Sequence, residues 1–457
     1  MPAAETLPLI VIGAGPVGLA AAAHLIEKGE SPVVLEAGRS AAASVLAWGH
    51  VKLFSPWRYC IDDAARRLLE SNGWASPDLE TYPNGRELAE LYLLPLADAM
   101  GARATIRTGA KVVSVARFGL DKMKNEGRDS APFVVTAEDA DGNETTLLAR
   151  AVVDASGTYT SPNPLGSSGI FAPGEKRAAD RILYRIPDVH GSDRARYAGK
   201  KIAIVGSGHS AFNALIQLAE LARDVPRTDL VWIVRKADLT GVYGGEIGDA
   251  LPERGALGAR VRALVDSDAV CLESGFRIAV VQTGCCGGDD CCGVSLVAED
   301  GRRVAVDEVI ATTGFRPHLA MLSELRLDLH PAVESPTVLA DMIDPNFHSC
   351  GTVEPHGAVE LAHPDRGFYI AGMKSYGRAP TFLMLTGYEQ VRSIACELTG
   401  DHDGARKVEL TLPETGVCSG DGCCTIPPTR KTLRALNVLP VAAPAAACCD
   451  SEASGCC

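Results

Sequence analysis

The amino-acid sequence predicts an α/β fold with two Rossmann-like dinucleotide-binding domains and a cysteine-rich C-terminal tail. The main observation is that a strand, a glycine-rich turn, a helix and a second strand follow one another twice along the chain. The composition agrees, since 46% hydrophobic and 22% charged residues are typical of a soluble globular protein. At about 150 residues per domain, the length of 457 residues allows roughly three domains.

The first βαβ unit starts close to the N-terminus. Residues 9–12 form an apolar run that predicts a buried parallel strand, a helix is expected over residues 19–28, and residues 32–35 form the second strand. Glycines between the first strand and the helix permit a tight turn and let a pyrophosphate approach the positive end of the helix. Glu36 follows the second strand and is placed to bind ribose hydroxyls. The predicted dinucleotide-binding residues of this unit are Gly13, Gly15, Pro16, Gly18 and Glu36.

The second βαβ unit repeats this pattern. Residues 201–205 and 230–234 are the predicted strands, and a helix is expected between them up to about residue 223. Alanine replaces the third glycine of the motif, which the motif permits, and two basic residues stand where the first unit has its acidic residue. The basic residues favour a 2′-phosphate and therefore NADPH. The predicted binding residues of this unit are Gly206, Gly208, Ala211, Arg235 and Lys236.

Shorter segments complete the predicted fold. Residues 162–199 are rich in proline and glycine and are expected to cross between domains, and residues 240–260 are expected to be loop-rich. After Gly400 the periodicity fades, and the bias toward Ala, Pro, Ser and Cys predicts a mobile tail. Further predicted elements are helices over residues 86–100 and 381–398 and strands over residues 111–115, 133–138, 151–154, 277–282, 294–298, 307–311 and 367–372.

The charge balance excludes several classes of partner. The chain has 44 basic and 57 acidic residues and a formal net charge of −13, which argues against nucleic acid and against an anionic membrane surface. No stretch reaches the ~20 apolar residues of a membrane span, and the first residues lack the positive charge of a secretory signal. We therefore expect a cytoplasmic protein, whose cysteines are thiols or ligands in preference to disulfides.

The 15 cysteines are unevenly placed, because ten of them form five adjacent pairs. A disulfide within such a pair would be strained, whereas thiolates are soft ligands for Zn, Cu(I) or trivalent arsenic. The alternative is an exposed loop and a tail that hold no ligand. Four cysteines in apolar contexts, Cys60, Cys271, Cys350 and Cys396, are expected to be buried thiols. The predicted ligands of a thiophilic metal or metalloid ion are Cys285, Cys286, Cys291, Cys292, Cys423, Cys424, Cys448, Cys449, Cys456 and Cys457.

Three further motifs carry a resemblance to a known family. They are Ala-Ser-Gly at residues 155–157, Ala-Thr-Thr-Gly-Phe-Arg-Pro at residues 311–317 and Phe-Tyr-Ile-Ala-Gly at residues 368–372. With the two glycine motifs, they make residues 9–399 resemble the flavin-containing monooxygenases, a family of flavoproteins with two dinucleotide-binding domains. Within that family, residues 206–211 and 374–382 look most like the flavin-binding monooxygenases of arsenic-resistance operons. In this sequence Met373 replaces the acidic residue that usually follows the last glycine.

The resemblance implies a domain organisation and two cofactors. FAD would be held by residues 1–160 together with residues 316–400, NADPH by an inserted domain of residues 161–315, and residues 401–457 would form the tail. The first glycine motif would belong to FAD and the second to NADPH. The resemblance adds Val113, Gly157, Gly314 and Gly372 to the predicted cofactor-binding residues.

Three hypotheses on activity remain open at this point. In the favoured one, NADPH reduces FAD, which reacts with O₂ to a C4a-hydroperoxyflavin that oxygenates a small soft substrate, either trivalent arsenic or an organosulfur compound. The second is an NADPH-dependent thiol or metalloid reductase that uses the C-terminal cysteine pairs. The third is a flavoprotein that binds a thiophilic metalloid without catalysis.

No catalytic side chain is assigned, because the first hypothesis needs no protein nucleophile. His50, Lys52 and Trp57 are candidates to line the flavin, with ordinary core or interface positions as the alternative. One departure bears on oxygenation. The identifying sequence of the family, F-x-G-x-x-x-H-x-x-x-[F/Y], is expected before the second glycine motif, but His190 stands there without the F-x-G.

Overall fold

The protein is described by a computed structural model over residues 6–239, 241–244, 252–283, 293–346, 353–379 and 382–410. The first half contains β1 (Leu9–Ile12), α1 (Pro16–Glu27), β2 (Val33–Leu35), α2 (Ala43–Ala47), α3 (Asp63–Glu70), α4 (Gly85–Leu88), α5 (Leu94–Met100), β3 (Thr105–Arg107), β4 (Lys111–Arg117), β5 (Phe133–Glu138), β6 (Glu144–Ala149), β7 (Ala151–Asp154), β8 (Ile182–Leu183), α6 (Arg194–Tyr197), β9 (Lys201–Val205) and α7 (His209–Asp224). The second half contains β10 (Asp229–Ile233), α8 (Pro252–Asp266), β11 (Cys271–Glu273), β12 (Ile278–Thr283), β13 (Val294–Ala298), β14 (Arg303–Val306), β15 (Glu308–Ala311), α9 (Thr337–Ile343), β16 (Phe368–Ile370), α10 (Met384–Leu398) and α11 (His402–Arg406).

The first sheet is parallel and has five strands in the order β16-β7-β1-β2-β3. One face is covered by α1, α3 and α10, with Val11 and Leu19 in that core. The other face is covered by the antiparallel strands β4, β5 and β6, with Ile10 and Phe133 in that core. Since both faces are buried, the central strands are continuous apolar runs without alternation, which made them visible in the sequence.

A second parallel sheet, in the order β11-β10-β9-β15-β8, repeats this construction. The helices α7 and α8 cover one face around Trp232, and the antiparallel strands β12, β13 and β14 cover the other around Leu296. The chain enters this sheet after β7 and returns to the first sheet with β16. The predicted α/β fold with two Rossmann-like units is therefore present, while the predicted domain boundaries stay a prediction.

Two segments carry the chain between the sheets, and they run side by side. The amide of Asn163 donates to the Gly314 carbonyl at 2.9 Å, and the amide of Arg316 donates to the Ser161 carbonyl at 3.0 Å. The rings of Tyr159 and Phe315 lie 5.5 Å apart on the same pair of segments. These contacts join the two linker motifs recognised in the sequence into one ribbon.

Two predicted segments differ from the structure. The stretch 240–260, expected to be loop-rich, contains the start of α8. Its periodicity was obscured by interior glycines, of which Gly258 is required because a methyl group there would collide with the carbonyl oxygen of Tyr243. The helix predicted over residues 86–100 is divided by a π-helical turn, Ala89–Leu93.

Proline explains that π-helical turn. Pro95 has no amide hydrogen to give to the carbonyl of Leu91, four residues earlier. The indole Nε1 of Trp74 donates to this carbonyl at 2.8 Å instead.

Among the described residues, no helix has both the length and the apolar character that a membrane span needs.

Candidate functional site

Three neighbouring strands of the first sheet end in glycine turns at the same edge. Gly13 follows β1, Gly157 follows β7 and Gly372 follows β16, with φ angles of +98°, +69° and +69°. Such positive φ angles favour glycine, which has no Cβ to clash. The carboxyl edge of a parallel sheet is where open α/β folds bind ligands, so these turns mark the first candidate site.

The glycines of the first motif have three different tasks. A Cβ on Gly13 would lie 2.8 Å from the Ala155 carbonyl oxygen, and a Cβ on Gly18 would collide with the carbonyl oxygen of Gly13. Gly15 has no atom within 4 Å of its Cβ position. Gly13 and Gly18 therefore permit close packing within the protein, whereas Gly15 leaves open space at the start of α1.

The start of α1 has free hydrogen-bond donors. Gly15 is the N-cap, Pro16 is the first helical residue, and neither a side-chain cap nor an acidic residue occupies the first turn. The first amides of a helix have no partner inside the helix, and the helix dipole adds partial positive charge there. This end of α1 has the chemistry to bind a phosphate group.

Glu36 is buried at the end of β2, where it holds the glycine turn. One carboxylate oxygen accepts from the amide of Ala14 and the other from the amide of Gly38, both at 2.7 Å. Each carboxylate oxygen has two lone pairs, so capacity remains for ribose hydroxyls. Glu36 thus combines the predicted ribose site with a structural contact that the sequence did not show.

Val113 lies at an irregularity in β4. Val112 pairs with Ala137 and Ser114 pairs with Thr136, so Val113 has no partner on β5. A bulge of this kind leaves the backbone groups of the extra residue outside the ladder. The start of β4 is near Glu36, because the amide of Ala110 donates to the Glu36 carbonyl at 2.8 Å. The backbone of Val113 is therefore a candidate to pair with an adenine.

The second glycine motif has the same geometry as the first. A Cβ on Gly206 would collide with the carbonyl oxygen of Thr312, whereas Gly208 has no atom within 4 Å of its Cβ position. The helix α7 begins without a side-chain cap or an acidic first turn. Ala211 is completely buried, so a methyl group fits where the first unit needs Gly18.

The basic residues follow β10, at the carboxyl edge of the second sheet. Both Arg235 and Lys236 are exposed. The guanidinium of Arg235 donates to the Ser167 carbonyl at 3.2 Å. Solvent-facing cations at this edge are available to a 2′-phosphate, as the sequence predicts.

A cleft of about 200 Å³ lies beside the second glycine motif, of which Ser210 forms part of the wall. Trp48 from the segments around the first sheet and Arg185 from those around the second also line it, and the two linker segments contribute Tyr159 and Phe315. The cleft is at the carboxyl ends of β9 and β15, where the strand order of the second sheet reverses. A ligand bound at the second glycine motif would extend into this space.

Two polar atoms near the cleft have no hydrogen-bond partner among the described residues. They are the hydroxyl of Tyr159 and Nε2 of His50, both buried. Burial raises the pKa of Tyr159 and lowers the pKa of His50, so both groups are neutral at pH 7. Leaving a buried polar atom unpaired costs about 1–3 kcal/mol, so a ligand is a natural partner for it.

Lys52 and Trp57, the other candidates for lining the flavin, are not among the residues that line the cleft. Trp57 is 3% exposed and belongs to the hydrophobic core around the first sheet, which is the alternative that the sequence left open for it. Lys52 forms an ion pair with Glu253 of α8 at 3.7 Å. Sequence alone does not separate a core aromatic from one that lines a cleft.

Of the cysteines expected to be buried thiols, Cys60 and Cys396 are buried and Cys271 is exposed. The expectation for Cys271 was wrong, because it lies on β11, the edge strand of the second sheet. Burial raises the pKa of the Cys60 thiol to about 12. Cys350 and all ten paired cysteines lie outside the described residues. Within the described ranges, no three His, Cys, Asp or Glu side chains converge into a metal site.

The sequence did not reveal a buried charged cluster behind the glycine turns of the first site. Lys374 Nζ lies 2.7 Å from Asp154 Oδ2, and Ser156 Oγ donates to Asp154 Oδ1 at 2.6 Å. The available signal in the sequence was Asp154, a charged residue at the end of the otherwise apolar run 151–154.

Comparisons with known proteins agree with this geometry. A profile of the pyridine nucleotide-disulphide oxidoreductases matches residues 10–229. Flavin-containing monooxygenase FMO GS-OX-like 9 of Arabidopsis thaliana is 26% identical over 243 residues, which are 47% of this chain. The match spans about half of that relative, 49% of its length.

Solved structures share the fold. A bacillithiol disulfide reductase from Bacillus cereus is 18% identical with a TM-score of 0.61, over 87% of this chain and 99% of the other. A mutant flavin monooxygenase from Stenotrophomonas maltophilia is 23% identical with a TM-score of 0.51, over 86% of this chain and 98% of the other. The solved structures thus share the fold of this chain, and its sequence is similar to pyridine nucleotide-disulphide oxidoreductases and to flavin-containing monooxygenases.

Proposed function

We propose that the protein is an FAD- and NADPH-dependent monooxygenase that acts on a small, soft substrate in the cleft between its two sheets. The observation that carries this proposal is that each of the two sheets has at its carboxyl edge a glycine motif with an open middle glycine, and that a cleft beside the second motif is also lined by segments around the first sheet. Two dinucleotides bound at these motifs would supply the hydride donor and the hydride acceptor that the reaction needs.

The first site fits FAD in chemical detail. The open turn at Gly15 and the start of α1 bind the pyrophosphate, Glu36 binds the adenosine ribose, and the backbone of Val113 pairs with the adenine. Gly157 and Gly372 let the backbone approach the flavin half. When bound, FAD supplies the hydride acceptor and the reaction with O₂.

The second site fits NADPH. Gly208 and the start of α7 bind the pyrophosphate, with Gly206 and Ala211 packing the turn against the sheet. Arg235 and Lys236 bind the 2′-phosphate. Gly314 lines the cleft and has a positive φ of +86°, a conformation that favours glycine.

Arg235→Ala tests the 2′-phosphate site. We expect KM for NADPH to rise about tenfold and KM for NADH to stay unchanged, because one charge-assisted hydrogen bond contributes about 1.5 kcal/mol or more. Steady-state kinetics with both cofactors measures the difference. The matched control is Arg303→Ala, an exposed arginine on β14 that bonds to Gln282, which should change neither value. Equal weakening of both cofactors in Arg235→Ala would refute the assignment.

The described cysteines favour oxygenation over a dithiol relay. Cys60 is completely buried, and its thiol donates to the carbonyls of Ser55 and Pro56 at 3.7 Å and 3.4 Å. With its raised pKa it is a thiol at pH 7, and a thiol is a poor redox nucleophile. A thiol or metalloid reductase would therefore depend on the paired cysteines, which lie outside the described residues.

The roles of the cleft residues follow from their chemistry. The hydroxyl of Tyr159 is neutral and unpaired, so it donates a hydrogen bond to a ligand without taking part in proton transfer at neutral pH. Tyr184 is held by its hydrogen bond to Glu175 at 2.6 Å. The aromatic residues in the cleft walls, Trp48, Tyr159, Tyr184 and Phe315, would exclude water from the substrate space, which limits side reactions.

The substrate that we propose is trivalent arsenic or, failing that, an organosulfur compound, with the adjacent cysteine pairs as its capture site. Thiolates prefer soft ions, and trivalent arsenic is such an ion. This proposed substrate agrees with the resemblance of residues 206–211 and 374–382 to the flavin-binding monooxygenases of arsenic-resistance operons. The reducing cytoplasm is the compartment in which such pairs stay as thiols.

Oxygen consumption separates the hypotheses in one experiment. We expect the purified protein to be yellow and to oxidise NADPH with consumption of O₂. This oxidation should be faster when arsenite or a thioether is present. When the reduced protein is mixed with O₂, we expect a transient change in the absorbance of the flavin. Anaerobic NADPH oxidation coupled to a thiol or metal acceptor would favour the reductase. A colourless protein that binds arsenite would favour the non-catalytic hypothesis. Replacing Cys285, Cys286, Cys291 and Cys292 by serine is the control for capture, which should lower arsenite binding and leave the basal oxidation of NADPH unchanged.

A further inference from the structure

A lysine and an aspartate form an ion pair that is fully buried behind the candidate FAD site. The side chains of Lys374 and Asp154 are 1% and 0% exposed, and Nζ lies 2.7 Å from Oδ2. Ser156 completes the cluster, since its amide and its hydroxyl donate to Asp154 Oδ1 at 3.1 Å and 2.6 Å, while Lys374 donates to the same hydroxyl at 3.1 Å. A buried pair of this kind has a large desolvation cost and is not by itself evidence of stability.

The position of the pair suggests a different role. Asp154 is the last residue of β7 and lies in register between Ile12 of β1 and Ile370 of β16. Its carboxylate binds the Ala155–Gly157 turn through Ser156, and its partner Lys374 stands in the turn that starts at Gly372. The ion pair thus connects two of the three glycine turns at this edge, although its members are separated by 220 positions in the sequence.

A second contact fixes the Gly372 turn from the opposite side. Gln390 of α10 is completely buried, and its Oε1 accepts from the amide of Gly372 at 2.8 Å. Its Nε2 donates to Ser375 Oγ at 2.9 Å, and that hydroxyl donates to the Gly372 carbonyl at 2.8 Å. The short turn is therefore held at Gly372 by α10 and at Lys374 by β7.

We propose that the Lys374–Asp154 pair positions the Gly157 and Gly372 turns for the flavin half of FAD. This inference rests on the proposed function, because it assumes that FAD lies along this edge. Lys374 is buried even without a ligand, so it acts through the backbone of the two turns and does not touch the cofactor. Ser156, which contacts both buried charges, is itself exposed at the surface of the site.

The double variant Lys374→Met with Asp154→Asn separates positioning from stability. Each single change that removes one charge leaves the other unpaired and should destabilise the fold, whereas the double variant leaves no buried charge. We expect the apoprotein of the double variant to recover most of the melting temperature of the wild type. We also expect its dissociation constant for FAD to rise about tenfold, or about 1.4 kcal/mol, because the turns are no longer aligned.

The measurements are titration of apoprotein with FAD, followed by flavin fluorescence, and the visible spectrum of the bound flavin. Glu308→Gln is the matched control, since Glu308 is a buried carboxylate of the second sheet bound by Arg196 and Lys200. It should lower the melting temperature without changing the dissociation constant for FAD. If the apoprotein of the double variant does not refold, Asp154→Asn, which keeps the shape of the side chain and is purified with FAD bound, decides through the rate of flavin release and the visible spectrum.

A double variant that binds FAD as tightly as the wild type, with an unchanged spectrum, would overturn the inference and leave the pair a structural feature. If the result depends on Asp154→Asn, a variant that holds FAD as the wild type does, with the same spectrum, would also overturn the inference. Failure of the wild type itself to bind FAD is a different result, since that would refute the proposed function.

Discussion

Gly15→Ala is expected to abolish FAD binding while the protein stays folded, and Gly208→Ala is expected to abolish NADPH binding while FAD stays bound. Neither Cβ position has an atom within 4 Å, so the added methyl group meets open space in the protein itself. Both residues have φ angles that alanine adopts without strain, −83° for Gly15 and −97° for Gly208. The exchange of glycine for alanine at a helix N-cap should cost less than about 1 kcal/mol.

The expected loss of binding has a steric cause. A pyrophosphate that accepts hydrogen bonds from the first amides of a helix must come into contact with the backbone of the middle glycine. A methyl group at that position keeps the phosphate oxygens away from the amides, so both the hydrogen bonds and the dipole interaction are lost. We expect affinity to fall by at least about a hundredfold, or roughly 2.7 kcal/mol.

Gly18→Ala is the contrasting variant. Its methyl group would collide with the backbone carbonyl of Gly13, which is fixed between β1 and α1. Backbone atoms cannot move aside as a side chain does, so this change should lower the stability of the apoprotein and reduce the soluble yield. The pair of variants therefore distinguishes a glycine needed by the ligand from a glycine needed by the fold.

Thermal unfolding of the apoproteins and equilibrium titration with each cofactor give the result. The cofactor assignment would be wrong if Gly15→Ala weakened NADPH and spared FAD, or if Gly208→Ala did the reverse. Full retention of both cofactors in both variants would refute the two candidate sites. A melting temperature of Gly15→Ala far below that of the wild type would contradict the open space at its Cβ position.

The parts of the fold that sequence predicted are those encoded by neighbouring residues. Within each βαβ unit, the first strand, the glycine motif and the acidic or basic residue after the second strand lie within about 30 residues of one another, so one window of sequence contains the pattern. The exact spans of β5, β7 and β13 were predicted because apolar or alternating residues are bounded there by polar ones.

The parts that sequence could not predict depend on distant residues. Asp154 and Lys374 meet only because β16 returns beside β7 after the second sheet is complete. The unpaired hydroxyl of Tyr159 and the bulge at Val113 are properties of packing and register, which have no local pattern. The same holds for Arg128, which lies in the polar segment between β4 and β5 but is 3% exposed.

Arg128 belongs to a buried cluster, from which the second large effect is expected. Asp365 accepts from Arg128 Nη2 at 2.7 Å and from Arg117 Nε at 3.3 Å, and all three side chains are at most 4% exposed. Asp365 also accepts from Arg128 Nε at 2.7 Å, and other guanidinium donors go to backbone carbonyls, including those of Ala131 and Glu324. The cluster ties the segment before β5 to the amino-terminal end of β16, the edge opposite the FAD site.

Asp365→Asn should lower the free energy of unfolding by about 3–5 kcal/mol, because it leaves two buried arginines without a counter-charge. Urea unfolding of the apoprotein measures this loss. Glu299→Gln is the control, since Glu299 forms an exposed pair with Arg277 at 2.9 Å and a solvent-screened pair of this kind contributes little to stability. Equal effects of the two variants would show that the cluster is no more important than a surface pair.

The pH dependence of this difference has a definite sign. Burial alone would raise the pKa of Asp365, but the hydrogen bonds from Arg128 and from the amide of Arg326, together with the charges of both arginines, outweigh it and lower the pKa below its ordinary value. In the unfolded chain an aspartate titrates near pKa ~3.9. The carboxylate therefore contributes its full stabilisation above about pH 5, and loses it as the pH falls through the lower pKa of the folded state. The stability difference between wild type and Asp365→Asn should be constant from about pH 5 to 8 and should shrink below about pH 4; a difference that grew on acidification would contradict the lowered pKa.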